Sequence, residues 1–394
     1  MNVPVHGRIW GKPEHSNLYQ VVDSDWYTAG KWCARFENAL EKYLGVKHAI
    51  LCNSGSSANL LATLALGLEP GDEVITTAVN FPTTVNPILQ VGAVPVFCDV
   101  SIPHMTIDTT QLEEAYSPKV KAVIIAHTLG YPCEMAAITQ FCDKHNLKLI
   151  EDCCDALGGM YGQKPLGQFG QSATYSFYPA HQIGCGEGGA VTASGDGLAK
   201  VIRSFRDWGR DCWCLPGQDN TCGTRFGSDY DHKYTYSRIG YHLAATEFCG
   251  AVGLAQMDRL EDFVADRRRN HEYLRTLAYE LGLDDYFHIP YAENHCRPSW
   301  FGFSLICKQD FRNDLCQFLD SVGVGNRPVF GGNLLRQPAY KDIPHRRVER
   351  LFNSGEVHEK AFWIGCWPGL NDAQLEYAIE MIVQYVRRNT WIKC

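Results

Sequence analysis

The sequence predicts an α/β protein: a mainly parallel sheet with helices on both faces, plus a smaller C-terminal α/β domain. Three observations carry this. Between residues 74 and 200, short β-rich runs alternate with helical stretches. The runs are apolar nearly throughout, as strands covered on both faces are. Beyond a loop-like link from Gly282 to Pro298, a strand and two helices follow. With 394 residues, 45% of them hydrophobic, the chain can bury a large core and has room for two or three domains. The expected division is a large domain over 1–260, with an irregular region at 201–242, and a small domain over 261–394.

Taken in order, residues 1–30 read as polar and irregular, with Trp10, Trp26 and Tyr27 as packing anchors. Phe36, Leu40 and Leu44 recur at helical spacing and predict an amphipathic helix. Ala49-Ile-Leu51 is a short apolar run leading into Asn53-Ser-Gly-Ser-Ser57 and the helix-like Ala58 to Leu66. Glu73–Thr76, Val94–Phe97, Ala122–Ala126 and Leu147–Ile150 read as strands, and Ala136–His145 as a helix. Residues 201–242 show little periodicity and read as a structured loop. Leu243–Leu260 and Phe263–Leu277 are helical in pattern, Ser299–Ile306 a strand, and Phe311–Val322 and Ala373–Arg388 the last helices.

The totals exclude several functions. A net charge of −8 with no basic block disfavours a nucleic-acid surface. No run reaches the roughly 18 apolar residues of a membrane span, and no signal-peptide pattern opens the chain. Seventeen cysteines in such a chain fit buried thiols with a metal-binding subset, not a disulfide framework. The expectation is a soluble, cytoplasmic, enzyme-sized protein.

Ligands of doubly covered parallel sheets sit beyond the carboxyl ends of the strands. The residues just after the runs are therefore the candidates: Phe81, His127, Asp152 and His181. Asn53-Ser-Gly-Ser-Ser57 opens a helix with free N–H groups and hydroxyls, which suits a phosphate, although Ser and Gly are also ordinary helix starters. Asp152 ends a buried run, where a carboxylate can keep a pyridine nitrogen protonated or can cap the next helix. Ser176-Phe-Tyr-Pro-Ala-His181-Gln-Ile-Gly-Cys-Gly-Glu-Gly-Gly189 has the layout of the segment that enzymes using pyridoxal phosphate (PLP) place at a strand end. A transaminase needs a lysine at the residue that faces the cofactor, because only a primary amine can hold PLP covalently. Here that residue is His181, which can move a proton near neutral pH but cannot anchor the aldehyde.

With these residues in place the chain resembles the sugar-modifying DegT/DnrJ/EryC1/StrS family of fold-type I PLP-dependent transferases. More closely, it resembles the iron–sulfur, pyridoxamine phosphate (PMP)-dependent deoxysugar 3-dehydrases, which replace the lysine with histidine. Ser54-Gly-Ser-Ser-Ala-Asn-Leu-Leu61, Phe81-Pro-Thr-Thr-Val-Asn-Pro87, Glu151-Asp-Cys-Cys-Asp-Ala-Leu-Gly158 and Tyr230-Asp-His-Lys-Tyr-Thr-Tyr-Ser237 are among the motifs that carry the likeness, which covers nearly the whole chain. The resemblance implies that Gly55, Ser56, Ser57 and Ser176 bind the cofactor phosphate and that Phe81 stacks on the ring. Asp152 would pair with the pyridine nitrogen, Asp155 would sit near the 3-hydroxyl, and His181 would be the acid/base. Where the family has an asparagine that reaches the phosphate across a dimer interface, this chain has His242. Arg327 and Arg336 are candidates for the substrate diphosphate.

Cys154, Cys212, Cys214 and Cys222 stand in the spacing C-x57-C-x-C-x7-C, which resembles the [2Fe–2S] ligand set of the same dehydrases. Thiolates are the right donors for iron and sulfide, and a four-thiolate zinc site is the rival. The implied reaction removes the C3 hydroxyl from a nucleotide-linked 4-keto-6-deoxyhexose, CDP-linked by preference and TDP-linked as the alternative, for lipopolysaccharide O-antigen or another 3,6-dideoxysugar product. The implied partners are an NAD(P)H-dependent iron–sulfur or flavin reductase and a second copy of the chain. A cluster-free histidine-type 3-dehydratase, a sugar aminotransferase and a catalytically inactive binding partner are the other readings.

Overall fold

A computed structural model describes residues 1–212, 214, 218, 220–223, 227 and 230–389. Its eight-stranded sheet runs, from one edge, His48–Cys52, Gly189–Ala193, Ser172–Ser176, Lys148–Asp152, Val120–Ala126, Glu73–Thr77, Val94–Cys98 and Arg346–Arg347. All strands point the same way except Gly189–Ala193, which is antiparallel to both neighbours. Each strand alternates its side chains between two apolar layers. Ile50, Val74, Ile124 and Ile150 pack with Leu61, Ile88 and Ile202 from the helices Gly55–Ala65, Pro82–Gln90 and Asp196–Arg206. On the other face, Leu51 and Tyr175 meet Phe36, Leu40 and Val252, while Ile75, Val123 and Leu149 meet Ile138 and Phe141.

The predicted helix through Phe36, Leu40 and Leu44 is Lys31–Leu44, and all three side chains are fully buried. It lacks a side-chain cap of its own. Glu247, itself buried, instead accepts the first backbone N–H groups of Gly30, Trp32 and Cys33 at 2.9–3.1 Å, placing an anion at the positive end of the helix.

The C-terminal part builds a four-stranded antiparallel sheet in the order Phe287–His288, Phe303–Cys307, Ala361–Ile364, Asn326–Pro328. The helices Arg312–Ser321 and Asp372–Arg388 cover it with Leu315, Leu319, Ile379 and Ile382, and the 21-residue helix Leu260–Glu280 packs on the same core through Leu274 and Ala278. The two layers exchange segments. Val3 forms an isolated bridge to Val324, just before the strand Asn326–Pro328 of the small sheet, while Arg346–Arg347 pairs with Val96 and Phe97 at the edge of the large one.

Three sequence readings need correction. Residues 1–30 are not irregular: Lys12–Val22 is a helix, with the Glu14 carboxylate reaching back to the Gly11 amide at 2.8 Å. Trp26 and Tyr27 do not anchor a core, being 47% and 44% exposed. The start of the 201–242 region is the end of the helix Asp196–Arg206, whose Arg206 is buried against Asp207 and the carbonyl of Leu51.

Candidate active site

Five strands of the large sheet end at one mouth, and the residues at and after their ends, Ala126, His127 and Thr128 of Val120–Ala126 among them, line a cavity of about 590 Å³. Lys148–Asp152 delivers Asp152, Cys154 and Asp155, and Ser172–Ser176 delivers Ser176 and, four and five residues on, Ala180 and His181. His48–Cys52 leads to the Ser54–Gly55–Ser56 turn, and Glu73–Thr77 leads to Phe81 at the start of the helix Pro82–Gln90. Arg327 comes from the small sheet. Parallel strands gather these residues because their carboxyl ends share one edge.

The turn at 54–57 is shaped as an anion cradle. Ser54 caps the 11-residue helix Gly55–Ala65, accepting the Ser57 amide at 3.1 Å. Its hydroxyl also donates to the Ser57 hydroxyl at 3.0 Å; Ser54, from the same predicted turn, lines the cavity, and Ser57 lies behind it. A Cβ on Gly55 would lie 2.6 Å from Ser176 Cβ and 3.0 Å from Cys154 Sγ, so only glycine fits there. A Cβ on Gly189 would likewise lie 2.4 Å from the Ser54 carbonyl, which explains why glycines follow His181.

Asp152 is held firmly. Its Oδ2 accepts from Asn59 Nδ2 at 2.8 Å and Thr84 Oγ1 at 2.7 Å, and its Oδ1 from the Cys154 amide at 3.1 Å. Asn59 is itself fixed by the Thr174 hydroxyl at 2.6 Å. Phe81 stands 52% exposed at the mouth with its ring edge-on to Phe330, leaving a face free for a planar ligand. A cavity with a helix N-terminus at one side, a fixed carboxylate within and an exposed aromatic above matches the needs of a phosphorylated pyridine. The donor set therefore fits PLP or PMP.

His181 Nδ1 lies 3.5 Å from Asp155 Oδ1. Burial, reinforced by the nearby Arg267 guanidinium, lowers the His181 pKa to about 3, and burial together with Asp152 pushes Asp155 up to about 8. Both are neutral near pH 7, so the contact is not an ion pair; burial in this cavity disfavours a proton on His181, contrary to the sequence expectation of an imidazole that titrates near neutral pH. Arg267, which the sequence pattern did not single out, fixes this loop. Its buried guanidinium donates to the carbonyls of Ala180 and His181 at 3.2 Å each and to those of Trp300 and Phe301 at 3.2 and 2.9 Å.

Other candidates lie elsewhere. Arg336 is paired with Glu359 outside the cavity, so it is not placed for a ligand there. His242 is exposed and stacks on Trp208 at 4.4 Å, also away from the lining of its own cavity. His127 lines the cavity, but its nitrogens engage the Cys133 amide at 3.0 Å and Glu151 at 3.3 Å. Tyr178, from the Ser176–Gly189 stretch, also lines the cavity, as does His6, which no sequence pattern singles out.

The cysteines divide. Cys214 Sγ lies 3.4 Å from Cys222 Sγ, and Cys212 and Cys214 join His232 in a group whose ligand atoms all lie within 4.8 Å. Burial raises the Cys214 thiol, but hydrogen bonds from the Cys222 backbone and from neighbouring side chains outweigh it and bring the pKa to about 6. That thiol is therefore readily anionic, as iron and zinc ligands must be. Cys154 lies on the cavity wall instead, and among the described residues no such group of three ligand atoms includes it. Trp213, Leu215, Pro216 and Gly217 of the intervening loop lie outside the described residues.

Comparison with known proteins agrees with this geometry. A model of the DegT/DnrJ/EryC1/StrS aminotransferase family matches residues 9–383. The lipopolysaccharide biosynthesis protein RfbH of Salmonella typhimurium is 45% identical over 98% of this chain and 92% of its own length. The dTDP-4-dehydro-2,6-dideoxy-D-glucose 3-dehydratase of Saccharopolyspora spinosa is 42% identical over 92% of this chain and 82% of its own. Among solved structures, the Escherichia coli GDP-4-keto-6-deoxy-D-mannose-3-dehydratase with bound hydrated PLP superposes with a TM-score of 0.88 at 27% identity, covering 97% of this chain and 99% of that one. The fold is that of the fold-type I PLP-dependent enzymes.

Proposed function

The chain belongs to the DegT/DnrJ/EryC1/StrS aminotransferase family, and from that premise we propose that it removes the C3 hydroxyl of a nucleotide-linked 4-keto-6-deoxyhexose, using PMP and a [2Fe–2S] centre. The reading it favours is a CDP-6-deoxy-L-threo-D-glycero-4-hexulose 3-dehydrase acting in the cytoplasm as a homodimer. The observation that carries it is His181 at the cavity position where an aminotransferase needs lysine.

Without that amine, noncovalent contacts alone would hold the cofactor. The amides and hydroxyls at Ser54, Gly55, Ser56 and Ser176 would take the phosphate, Phe81 would cover the ring, Asp152 would face the ring nitrogen and Asp155 the 3-hydroxyl. When bound, PMP supplies an amine for the 4-keto group and an electron sink for elimination at C3. Asn59 and Thr84 fix the Asp152 carboxylate for its role. His181, its loop steadied by Arg267, accepts and returns the proton. Arg327 binds the substrate diphosphate, and His242 reaches toward the partner subunit's phosphate site.

Three converging thiols, Cys212, Cys214 and Cys222, with one held near pKa 6, suit a sulfur-ligated iron centre. Cys154, a thiol on the cavity wall, is the fourth ligand of the proposal. The centre, when loaded, would supply reducing electrons singly from an NAD(P)H-dependent iron–sulfur or flavin reductase. A dTDP-linked sugar is the second reading, favoured by the 42% identity to a dTDP-sugar 3-dehydratase. The converging thiols argue against the cluster-free alternative.

The test incubates anaerobically reconstituted protein with PMP, NADH, a general reductase and either CDP- or dTDP-4-keto-6-deoxyglucose. A 3-deoxy product that disappears in His181→Asn and Cys212→Ser is expected. An amino sugar as product would sink the dehydration reading, and turnover without iron would sink the cluster.

A further inference from the structure

One polar group in the cavity lining has no part in the chemistry proposed above. Asn80 follows the strand Glu73–Thr77, belongs to the lining and is buried. Its Nδ2 donates to the Thr77 carbonyl at 3.3 Å and to the Thr77 hydroxyl at 3.2 Å, with Thr76 Oγ1 at 3.4 Å. The Thr77 hydroxyl itself donates to the Val79 carbonyl at 3.1 Å, so it meets Asn80 as an acceptor. Two acceptors require a donor opposite them, which fixes the orientation of the amide. The NH2 end is thus turned back on the strand end. The Oδ1 end is buried and has no hydrogen-bond partner among the described residues. The segment also abuts the chain from the small sheet. Val79 bridges to Asn333, the Ala78 carbonyl accepts the Leu334 amide at 2.9 Å, and a Cβ on Gly331 would stand 3.7 Å from the Asn80 backbone carbonyl. Asn80 therefore lies next to the segment that carries Arg327, Pro328 and Phe330 to the lining.

We propose that Asn80 is a specificity-determining residue, its side-chain oxygen accepting the C2 hydroxyl of the nucleotide-linked hexose. This rests on the reading above that the substrate is a 4-keto-6-deoxyhexose. In such a sugar C1 carries the nucleotide, C4 is a ketone, C5 closes the ring and C6 has no oxygen. Only the C2 and C3 hydroxyls remain as donors. The C3 hydroxyl must depart, and a departing oxygen needs a proton donor beside it, whereas an acceptor would leave it electron-rich. The C2 hydroxyl stays on the product and can donate throughout. An amide oxygen already buried and pinned from behind pays no ordering cost on meeting it. A sugar lacking that hydroxyl leaves the oxygen unpaired and is penalised.

The experiment uses the full-length reconstituted protein, Asn80→Leu and Asn80→Ala. With the nucleotide held fixed, it compares 4-keto-6-deoxyglucose with its 2-deoxy counterpart, by kcat/KM for the 3-deoxy product and by equilibrium binding to the PMP-loaded protein without reductant. The wild type is expected to favour the 2-hydroxy sugar about tenfold or more. In Asn80→Leu, which keeps the volume and removes the acceptor, the two sugars should be handled alike, with PMP affinity unchanged. Should Asn80→Leu fail to fold, Asn80→Ala carries the same comparison. Equal handling of the two sugars by the wild type overturns the proposal, and so does a folded variant that keeps the preference. A loss of PMP affinity that accounts for the whole effect also overturns it, since Asn80 would then serve the cofactor. If the wild type makes a 3-deoxy product from neither sugar, the dehydration reading itself fails. If it turns over and only the discrimination is absent, this inference alone fails.

Discussion

Arg267→Met tests the claim that one buried guanidinium holds the catalytic loop. Methionine keeps the apolar stem of arginine and removes its five donors. The carbonyls of Ala180, His181, Trp300 and Phe301 then lose the partners they have at 2.9–3.2 Å. A buried acceptor left unpaired costs about 1–3 kcal/mol, so four cost about 4 kcal/mol at the low end. Part is recovered because a cation is no longer buried, and burial does hold the Arg267 pKa below its ordinary value. A net loss of about 3 kcal/mol remains. With an unfolding entropy of about 0.8 kcal/mol/K for a chain of this length, the melting temperature should fall by about 4 °C. Calorimetry at pH 7.5 measures it, and steady-state kinetics should show kcat reduced at least tenfold with a smaller change in KM. A variant melting within about 1 °C of wild type and turning over normally would refute the reasoning.

Three further outcomes follow from the same geometry. Gly55→Ala forces a Cβ to 2.6 Å from Ser176 Cβ, an overpacking cost of about 1–3 kcal/mol; PMP affinity by fluorescence titration should drop more than tenfold, and unchanged affinity would show that the cradle lies elsewhere. Thr84→Val removes the 2.7 Å hydrogen bond to Asp152. The loss of about 1.5–3 kcal/mol expected for a bond to a charged group should appear as weaker PMP binding, and an equal Kd would show that Thr84 does not orient the carboxylate. His271 stacks on Trp300 at 3.7 Å in the buried core, and burial holds its pKa well below 6.5. Its folded pKa is depressed, so the unfolded chain binds the extra proton, and stability falls as pH drops below about 6.5, by about 1.4 kcal/mol per unit. His271→Phe should remove that slope between pH 6.5 and 5.5 in urea unfolding; parallel wild-type and variant slopes would contradict it.

Much of the sheet was legible because its strands are apolar on both faces, and the mouth was legible because parallel strands end together. Asp152 could be found in this way, at the end of such a run, whereas His181, five residues past the polar strand Ser172–Ser176, was legible only from the layout of the Ser176–Gly189 stretch. Lys12–Val22 could not, since its turn is closed by the Glu14 carboxylate and its core contacts are few: of its apolar residues only Val21 is buried. Arg267 lies on a basic helix face whose pattern reads as solvent-exposed, and only the tertiary fold shows that its head enters a nest of carbonyls. Ser54 and Ser57 are interchangeable as letters; the capping geometry decides that Ser54 lines the cavity and Ser57 closes the turn. Arg336 lies outside the lining because of its surface position, where it pairs with Glu359, and no sequence pattern shows that partner. The four cysteines share a spacing, but spacing says nothing of the 3.1 Å approach of His232 to one of them.

The cavity is electrically two-ended, and that constrains how a substrate can lie in it. At one end the helix Gly55–Ala65 presents unpaired amides beside the hydroxyls of Ser54, Ser56 and Ser176, a site for one anion. At the other, His6 and Arg327 share the lining, and His6 is held below its ordinary pKa by burial first and then by Arg327, Arg267 and Arg8, which marks that wall as cationic. His181 and Asp155, in the same lining, are both neutral near pH 7. In the proposed reaction a cofactor phosphate would take the cradle and a sugar-nucleotide diphosphate would lie against Arg327, with His181 in the same lining to move the proton.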